Sequence, residues 1–359
     1  MPAIDGLSFS VGLVQHLPKP TLLPTPIKHL INKVIRGDAH QVLKQLPDES
    51  VDCIVTSPPY WALRDYGVKG QIGLESTFQE YIGRLCDMFD EVKRVLKQTG
   101  TCWVNLGDTY YSNHGGGNRG KVNGEVTRQL LKIRTRTYNR ELPEKSLCQI
   151  PSRFAIAMAN RGWILRNEVI WWKPNGMPSS ARDRFTVDFE KVFFFVKNQK
   201  YFFDLDSVRE AHNQKQREAG MKRAKELGYS GTGSYKEWYF RERKKTSWVS
   251  KNNDLKIGLG AARGVPKAKL IHPFGKAKRC VWAIPTHPFF GNHFAVFPSK
   301  LIETPIKAGC PKGGIVLDPF IGSGTTALVA KKLGRRFIGI DLNPQYVRMT
   351  KKRLSKEQP

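Results

Sequence analysis

The chain has 359 residues and carries 59 Lys and Arg against 31 Asp and Glu, which gives a net charge of +28. Apolar residues make up 40% of it, enough for a sizeable core, and this composition excludes wholesale disorder. So large a cationic excess favours a polyanionic partner, most simply nucleic acid, over a generally solvated basic surface.

The six cysteines are scattered, without a Cys-x-x-Cys pair or a nearby histidine partner. The sequence therefore predicts neither a zinc site nor a disulfide framework, and we expect reduced thiols and no bound metal. No apolar run approaches membrane-spanning length, and Asp5 interrupts the N-terminus where a signal peptide would be apolar. These features predict a cytoplasmic protein that does not enter a membrane.

Strands and helices alternate through the first third of the chain. Residues 1–30 are rich in Pro and Leu, lack periodicity and are expected to form an extended arm. Beyond them, apolar runs of strand length alternate with segments whose apolar residues recur at helical spacing. A capping box of Thr77 and Glu80 opens the longest helix, which we expect Gly100 to end. This alternation predicts a doubly wound α/β domain, with strand 33–38, helix 39–46, strand 51–56, helix 77–96 and strand 101–106.

A stiff turn, Ser57-Pro58-Pro59-Tyr60, follows the strand at 51–56. The two prolines stop the strand and carry no N–H group, so the turn offers carbonyl oxygens without competing donors. The Ser57 hydroxyl and a proline carbonyl are able to accept two hydrogen bonds from one NH2 group, with Tyr60 as a flat aromatic cover. This arrangement suits the exocyclic amine of a nucleobase; alternatively, the tetrapeptide is only a rigid loop.

The middle of the chain contains two basic segments. Residues 107–150 hold three consecutive glycines and many cations without an apolar period, and are expected to form a mobile loop or one that orders on DNA. A helix at 152–160 and strands at 164–172 and 189–196 resume the domain. Residues 210–280 carry 18 Lys and Arg against 6 Asp and Glu, with aromatic residues interleaved. This composition is typical of a nucleic-acid-reading module, although a basic insertion packed on the main domain is an alternative; the expected DNA contacts are Arg241, Arg243, Lys244 and Lys245.

A glycine-rich turn joins the strand and helix of a βαβ unit near the C-terminus. The strand 314–320 leads to Gly322 and Gly324, a helix follows at 327–333, and a second strand ends at Asp341. Glycines let the backbone approach a ligand, and an acid at the end of the second strand is placed to accept hydrogen bonds from ribose hydroxyls. The third glycine of the dinucleotide fingerprint and the Gly-Lys-Ser/Thr of a phosphate loop are lacking. The strand, the helix and the acid together therefore favour an adenosine-containing ligand, while the two missing patterns disfavour NAD and a nucleoside triphosphate.

Two motifs carry a resemblance to a known family. Asp318-Pro319-Phe320-x-Gly322-Ser323-Gly324-Thr325-Thr326 resembles the S-adenosylmethionine-binding motif of the DNA amino-methyltransferases, and Ser57-Pro58-Pro59-Tyr60 resembles their catalytic motif. The catalytic motif comes first, a basic insertion follows and the cofactor loop comes last, which is similar to the beta-type, permuted arrangement.

The resemblance implies a Rossmann-like fold, with a seven-stranded, mainly parallel sheet that contains one antiparallel strand and is flanked by helices. It also implies methyl transfer from S-adenosylmethionine to the exocyclic amine of a base flipped out of double-stranded DNA. Serine as the first residue of the catalytic motif, Ser57, favours N4 of cytosine over N6 of adenine. A cognate restriction endonuclease, acting separately, is a candidate partner.

Site residues carry over from the resemblance position by position. It implies catalytic roles for Ser57, Pro58, Pro59 and Tyr60. The stretch His293-x-Ala295-x-Phe297-Pro298-x-x-Leu301 resembles the family segment beside the methionine end of the cofactor, and Gly37-Asp38 resembles the segment whose acid approaches the adenine. The residues implied in cofactor binding are Asp38, Thr56, Ser299, Asp318, Phe320, Gly322, Ser323, Gly324, Thr325 and Asp341.

Four segments are expected: an arm at 1–30, a catalytic part at 31–205, a target-recognition region at 206–280, and a cofactor-binding part of the same domain at 281–359. Four alternatives to cytosine methylation remain. They are methylation of adenine N6, methylation of RNA or a small molecule, DNA binding without catalysis, and nucleotide-dependent dehydrogenation. The basic insertion disfavours a small substrate, and the incomplete glycine pattern disfavours a dehydrogenase.

Overall fold

The computed structural model describes residues 25–63, 65–111, 142–226, 228, 230, 234, 236–237, 272–286 and 297–356. Most of the predicted arm and of the basic loop lies outside these residues, and so do His293 and Ala295. Among the helices that are described, none combines the length and the apolar character needed to cross a membrane. The four cations expected to contact DNA also lie outside the described residues: Arg241, Arg243, Lys244 and Lys245.

The strands in the described ranges form one eight-stranded sheet. They are β1 (Lys33–Arg36), β2 (Val51–Thr56), β3 (Leu96–Leu106), β4 (Ile164–Trp172), β5 (Phe189–Val196), β6 (Val281–Ala283), β7 (Ile315–Asp318) and β8 (Arg336–Asp341). Their spatial order is β1-β8-β7-β2-β3-β5-β4-β6.

All the strand pairings are parallel except those of β5, which runs antiparallel to β3 and β4. The mainly parallel sheet with one antiparallel strand is thus confirmed. The expected count of seven strands is one too few in the described residues, because the three-residue β6 pairs with β4 and extends the sheet edge.

Helices cover both faces of this sheet. They are α1 (Thr25–Lys28), α2 (Ala39–Lys44), α3 (Phe78–Val95), α4 (Ile150–Asn160), α5 (Gln214–Glu226), α6 (Ser299–Gly309), α7 (Thr325–Lys332) and α8 (Pro344–Lys356). Helices α2, α3 and α4 contribute to one apolar cluster, whereas α6, α7 and α8 contribute to another. Strand β2 is buried throughout, with Ile54 in the first cluster and Cys53 and Val55 in the second. Such two-sided burial is typical of a central strand in a parallel sheet.

The boundaries of α3 follow from its flanking residues. As predicted, the Thr77 hydroxyl accepts a hydrogen bond from the Glu80 N–H (3.1 Å) and caps the first turn. The helix ends at Val95, so the expectation that Gly100 ends it was wrong. Leu96 already has extended backbone (φ −73°, ψ 132°) and begins β3, because pairing with β2 competes with the last helical turn.

The strand order brings distant parts of the chain together. Strand β2 lies between β3 and β7, with Ile54 opposite Leu317, and β1 pairs with β8. The turn after β2 and the loop after β7 therefore share one edge of the sheet. In open parallel sheets this edge, at the carboxyl ends of the strands, is where ligands bind.

Candidate active site

A cleft of about 670 Å³ opens between the turn that follows β2 and the loop that follows β7. Its volume lies in the range of about 300–1,000 Å³ that is usual for sites of small molecules and cofactors. Both sequence motifs thus contribute to one cleft. The predicted site residues that line it are Asp38, Ser57, Pro58, Pro59, Tyr60, Phe320, Gly322, Ser323, Thr325 and Asp341.

A buried carboxylate joins the two motifs. Asp318, at the end of β7, is 1% exposed and accepts hydrogen bonds from the hydroxyls of Thr56 (2.6 Å) and Thr326 (2.7 Å). The Phe320 N–H also donates to it (3.0 Å). Burial raises the pKa of Asp318 to about 6, although these three hydrogen bonds lower it. With both oxygens engaged, Asp318 holds the loop against the end of β2 from behind the cleft.

The backbone of the glycine loop is held on both sides. Gly324 precedes α7 with φ 86°, and a Cβ there would lie 2.4 Å from Thr350 Cγ2. The Thr350 hydroxyl donates to the Gly322 carbonyl (2.7 Å), and the Gly322 N–H donates to Asp341 Oδ2 (2.9 Å). Both its φ and this contact therefore require glycine at 324, which lies directly behind the cleft.

Two more carboxylates line the same side of the cleft. Asp341 accepts from the N–H groups of Asn343 (Oδ1, 2.7 Å) and Gly322 (Oδ2, 2.9 Å), so each oxygen has a further lone pair for a ligand. Burial raises the pKa of Asp341 to about 6. Asp38 caps α2 by accepting from the Gln41 N–H (3.0 Å). An aromatic and apolar wall adjoins these acids, formed by Tyr66, Phe320, Leu342 and Tyr346.

A polar network lies at the other side of the cleft, around Tyr60. The Tyr60 hydroxyl donates to Glu190 Oε2 (2.6 Å), and Asn105 Nδ2 donates to the same oxygen (3.0 Å). Lys173 Nζ forms an ion pair with Glu190 Oε1 (2.5 Å), and the Ser57 hydroxyl lies 3.4 Å from that of Tyr60. Burial, followed by the negative charge of Glu190, raises the pKa of Tyr60 well above its usual value. Tyr60 is therefore a neutral phenol whose ring is fixed beside Ser57.

Sequence reasoning missed this network. Asn105, Lys173 and Glu190 all line the cleft, together with Trp171 and Thr286. The available signal was a polar residue inside an apolar strand: Asn105 is only 4% exposed within β3. A buried polar side chain needs a partner, which makes such a position a candidate for a site or a network.

Four predicted cofactor-binding residues do not line the cleft. Thr56, Asp318 and Gly324 lie immediately behind it, where they bond or pack against its walls. Ser299 is exposed at the start of α6, after Pro298. No group of three or more His, Cys, Asp or Glu side chains in the described ranges is arranged to hold a metal ion.

Comparison with known proteins identifies relatives over nearly the whole chain. Residues 51–352 match the family N6_N4_Mtase, described as DNA methylase. The type II methyltransferase M.Cfr9I of Citrobacter freundii is 38% identical over 325 residues, which cover 90% of this chain and 88% of that protein. The type II methyltransferase M.SmaI of Serratia marcescens is 37% identical over 326 residues, which cover 90% of each chain.

Two solved structures share the fold. PvuII DNA methyltransferase, which is cytosine-N4-specific, aligns with a TM-score of 0.54 and 19% identity, over 89% of this chain and 85% of its own. TTHA0409 of Thermus thermophilus, in complex with S-adenosyl-L-methionine, aligns with a TM-score of 0.52 and 22% identity, over 91% of this chain and 95% of its own. The α/β architecture with its mainly parallel sheet is therefore that of the methyltransferases.

Proposed function

Since this chain belongs to the DNA methylase family N6_N4_Mtase, we propose that it methylates the exocyclic N4 amine of a cytosine flipped out of double-stranded DNA, with S-adenosylmethionine as the methyl donor. One observation carries the proposal. The turn from Ser57 to Tyr60 and the loop at Gly322 face a common cleft that also contains Asp341. An amine-accepting turn and a nucleoside-binding loop in one cleft suit transfer between two bound molecules.

The residues of the cleft fit S-adenosylmethionine. Asp341 has lone pairs available for ribose hydroxyls, and the loop at Gly322 brings backbone close to the ligand. The rings of Tyr66 and Tyr346, packed edge to face at 6.1 Å, suit the flat face of an adenine. When bound, this group would supply a methyl on a positively charged sulfur, which is already an activated electrophile; S-adenosylhomocysteine would be the leaving group, and the methylated amine would lose one proton to water. The task of the protein is therefore chiefly to position the amine.

The turn after β2 is suited to activate that amine. An exocyclic amine is nearly planar because its lone pair is delocalised into the ring. The Ser57 hydroxyl and the Pro58 carbonyl, by accepting its two N–H groups, favour a tetrahedral nitrogen whose lone pair is free to react. One lone pair of the Pro59 carbonyl is already engaged by the Tyr81 hydroxyl (2.8 Å), and we therefore assign the role of second acceptor to the Pro58 carbonyl. Tyr60, fixed by Glu190, stacks on the base.

The choice of cytosine depends on Ser57. Serine as the first residue of the catalytic motif is similar to the pattern of the family members that methylate the cytosine amine. The test is to hydrolyse DNA from cells that express the chain and to identify the methylated nucleoside by mass spectrometry. We expect N4-methylcytosine. N6-methyladenine would overturn the choice of base, and DNA without any methylated nucleoside would overturn methyl transfer to DNA.

The remaining proposals concern the roles of the domains, the contacts with DNA and a companion enzyme. We propose that residues 31–205 and 281–359 form the catalytic domain and that 206–280 select the DNA sequence. Within the latter, Arg241, Arg243, Lys244 and Lys245 are the proposed phosphate contacts, since a local excess of cations supports binding to a polyanion. An enzyme with this substrate would act in the cytoplasm, and a separate endonuclease that cuts the same sequence is the proposed companion.

Gly107 offers a test of the position of the Tyr60 ring. A Cβ at Gly107 would lie 2.5 Å from Tyr60 Cε2 and 3.0 Å from its Cδ2, so the ring has to move. We expect Gly107→Ala to slow methyl transfer about tenfold or more, because misplacement by about 1 Å at a reacting centre is costly. Single-turnover transfer of a labelled methyl group measures this rate. The matched control is Gly83→Ala in α3, which has open space around it; equal losses in both variants would contradict the assigned role.

Cofactor affinity is expected to fall as the pH falls through about 6. The pKa of Asp341 in the free protein is about 6, and ribose hydroxyls bond more strongly to a carboxylate than to a neutral acid. The dissociation constant at pH 5 should therefore be about tenfold higher than at pH 7.5, which calorimetry measures. In Asp341→Asn we expect weak binding that does not depend on pH over this range. The same pH profile in both proteins would assign the titration to another group, of which Asp318 is one.

A further inference from the structure

The loop between β4 and β5, residues 173–188, carries two large apolar side chains that are almost fully exposed. Met177 is 90% exposed and Phe185 is 95% exposed. Single exposed apolar residues are common, but two of this size on one loop mark a contact surface. The position and rigidity of the loop indicate what it contacts.

Hydrogen bonds between its two arms hold the β4–β5 loop in shape. The Lys173 N–H donates to the Asp188 carbonyl (2.8 Å) at its base. Further along, the Ser179 N–H donates to the Thr186 hydroxyl (3.0 Å). The two exposed apolar side chains lie within two residues of this second bond. Met177 and Phe185 therefore project from a loop whose shape is held by hydrogen bonds.

The same loop borders the cleft. Lys173 and Thr286 line the cleft, and Thr286 exchanges hydrogen bonds with Asn175: Asn175 Nδ2 donates to the Thr286 carbonyl (2.8 Å), and the Thr286 N–H donates to Asn175 Oδ1 (2.9 Å). Met177 is only two residues beyond Asn175. Strand β4 runs parallel to β2 and β7, so its carboxyl end lies at the edge of the sheet that carries the cleft.

We propose that Met177 and Phe185 form a wedge that enters the DNA stack beside the flipped base and fills the space that the base leaves. This inference rests on the proposed function. Flipping exposes the faces of the neighbouring base pairs, and inserted apolar side chains are a general means of covering unstacked steps. The partner is DNA because exposed cations, Arg182 and Arg184, share the loop and are suited to the adjacent phosphates. The Arg184 guanidinium also stacks on the ring of Tyr110 (3.6 Å).

The test compares two DNA duplexes that contain the recognition sequence, mapped beforehand by sequencing of methylated DNA. In one duplex the target base is paired, and in the other it lies opposite an abasic site, so that less unpairing is needed. We expect the double variant Met177→Ala, Phe185→Ala to lose at least about tenfold in kcat/KM on the paired duplex and less than about twofold on the abasic one. A double variant with leucine at both positions should recover most of the activity.

Two outcomes and one control variant separate the possibilities. The wedge is overturned if the double alanine variant shows the same ratio of activities on the two duplexes as the wild-type protein. This holds whether both activities fall or neither does. Ile156→Ala, which removes a 62%-exposed side chain from α4, is the control and should change neither activity. If the wild-type protein leaves no methylated sequence to be mapped, the proposed function is overturned instead.

Discussion

Replacement of Ser57 by alanine is expected to slow methyl transfer by about 10²–10³-fold, which is the usual cost of removing one hydrogen-bonding group that acts on the reacting atoms. The Ser57 side chain lines the cleft beside Pro58 and lies 3.4 Å from the Tyr60 hydroxyl. Without its oxygen, the amine has one acceptor fewer and remains closer to planar. Transfer of a labelled methyl group to DNA in a single turnover measures the loss.

Binding should survive this substitution, because the role proposed for the hydroxyl concerns the amine rather than the DNA backbone or the methyl donor. Gel-shift and calorimetric affinities of Ser57→Ala are therefore expected to stay within about threefold of wild type, a difference of less than about 1 kcal/mol. Ser355→Ala removes an exposed hydroxyl from α8, far along the chain from the turn, and serves as the matched control. Full activity of Ser57→Ala would exclude the proposed mechanism.

Asp318→Ala is expected to lower the free energy of unfolding by about 3–5 kcal/mol. The substitution leaves the hydroxyls of Thr56 and Thr326 and the Phe320 N–H without their acceptor in a buried position. Each lost hydrogen bond costs about 1–3 kcal/mol, and all three lie at the point where the loop joins the sheet. Urea unfolding followed by tryptophan fluorescence measures the effect. Asp341→Ala, at the cleft surface, should affect stability less and cofactor affinity more.

The hydrogen bonds that Asp318 accepts stabilise the fold, whereas its buried negative charge destabilises it. Its pKa is about 6 when folded and lies near 3.8 when exposed, so the folded state holds this proton more tightly than the unfolded state does. The contribution of this group to stability is therefore greatest below pH 4 and declines as the pH rises from about 4 to 6. Asp318→Asn, which keeps the size and one acceptor, should remove this decline. An unchanged pH profile in Asp318→Asn would contradict the raised pKa.

Long apolar runs made part of the fold predictable from the sequence. The expected strands 164–172 and 189–196 coincide with β4 and β5. In β5 the consecutive aromatic and β-branched residues 192–196 favour a buried strand, whereas β4 is mostly exposed and has its longest apolar run at its end, residues 169–172. The end of α3 was less predictable, since Leu96 fits the helical apolar period equally well. Its pairing with Val51 decides the boundary, and that pairing is a property of the sheet rather than of the local sequence.

The candidate site, like the fold, was predictable only in part. The order of strands and motifs is enough to expect the turn at Ser57 and the loop at Gly322 on one sheet edge. Asn105 was recognisable as a polar residue in an apolar strand, but its partner Glu190 was not predictable, because the two meet through the antiparallel register of β3 and β5, which the apolar pattern does not specify. Thr56 directly precedes the Ser57 motif, but the sequence does not give the direction of its side chain, which here donates a hydrogen bond to Asp318 of the second motif.

The contact between Thr56 and Asp318 spans 262 residues, and this separation has a consequence for biosynthesis. Strand β2 is able to pair with its neighbour β7, and β1 with its partner β8, only after residues 315–341 have been made. At a translation rate of about 5–20 residues per second, roughly 13–50 s pass between the synthesis of the two halves of the cleft. A nascent chain on the ribosome that has not passed Asp341 therefore has the turn after β2 but lacks part of the opposite wall of the cleft. All residues that line the cleft are present only once the chain has been synthesised beyond Tyr346.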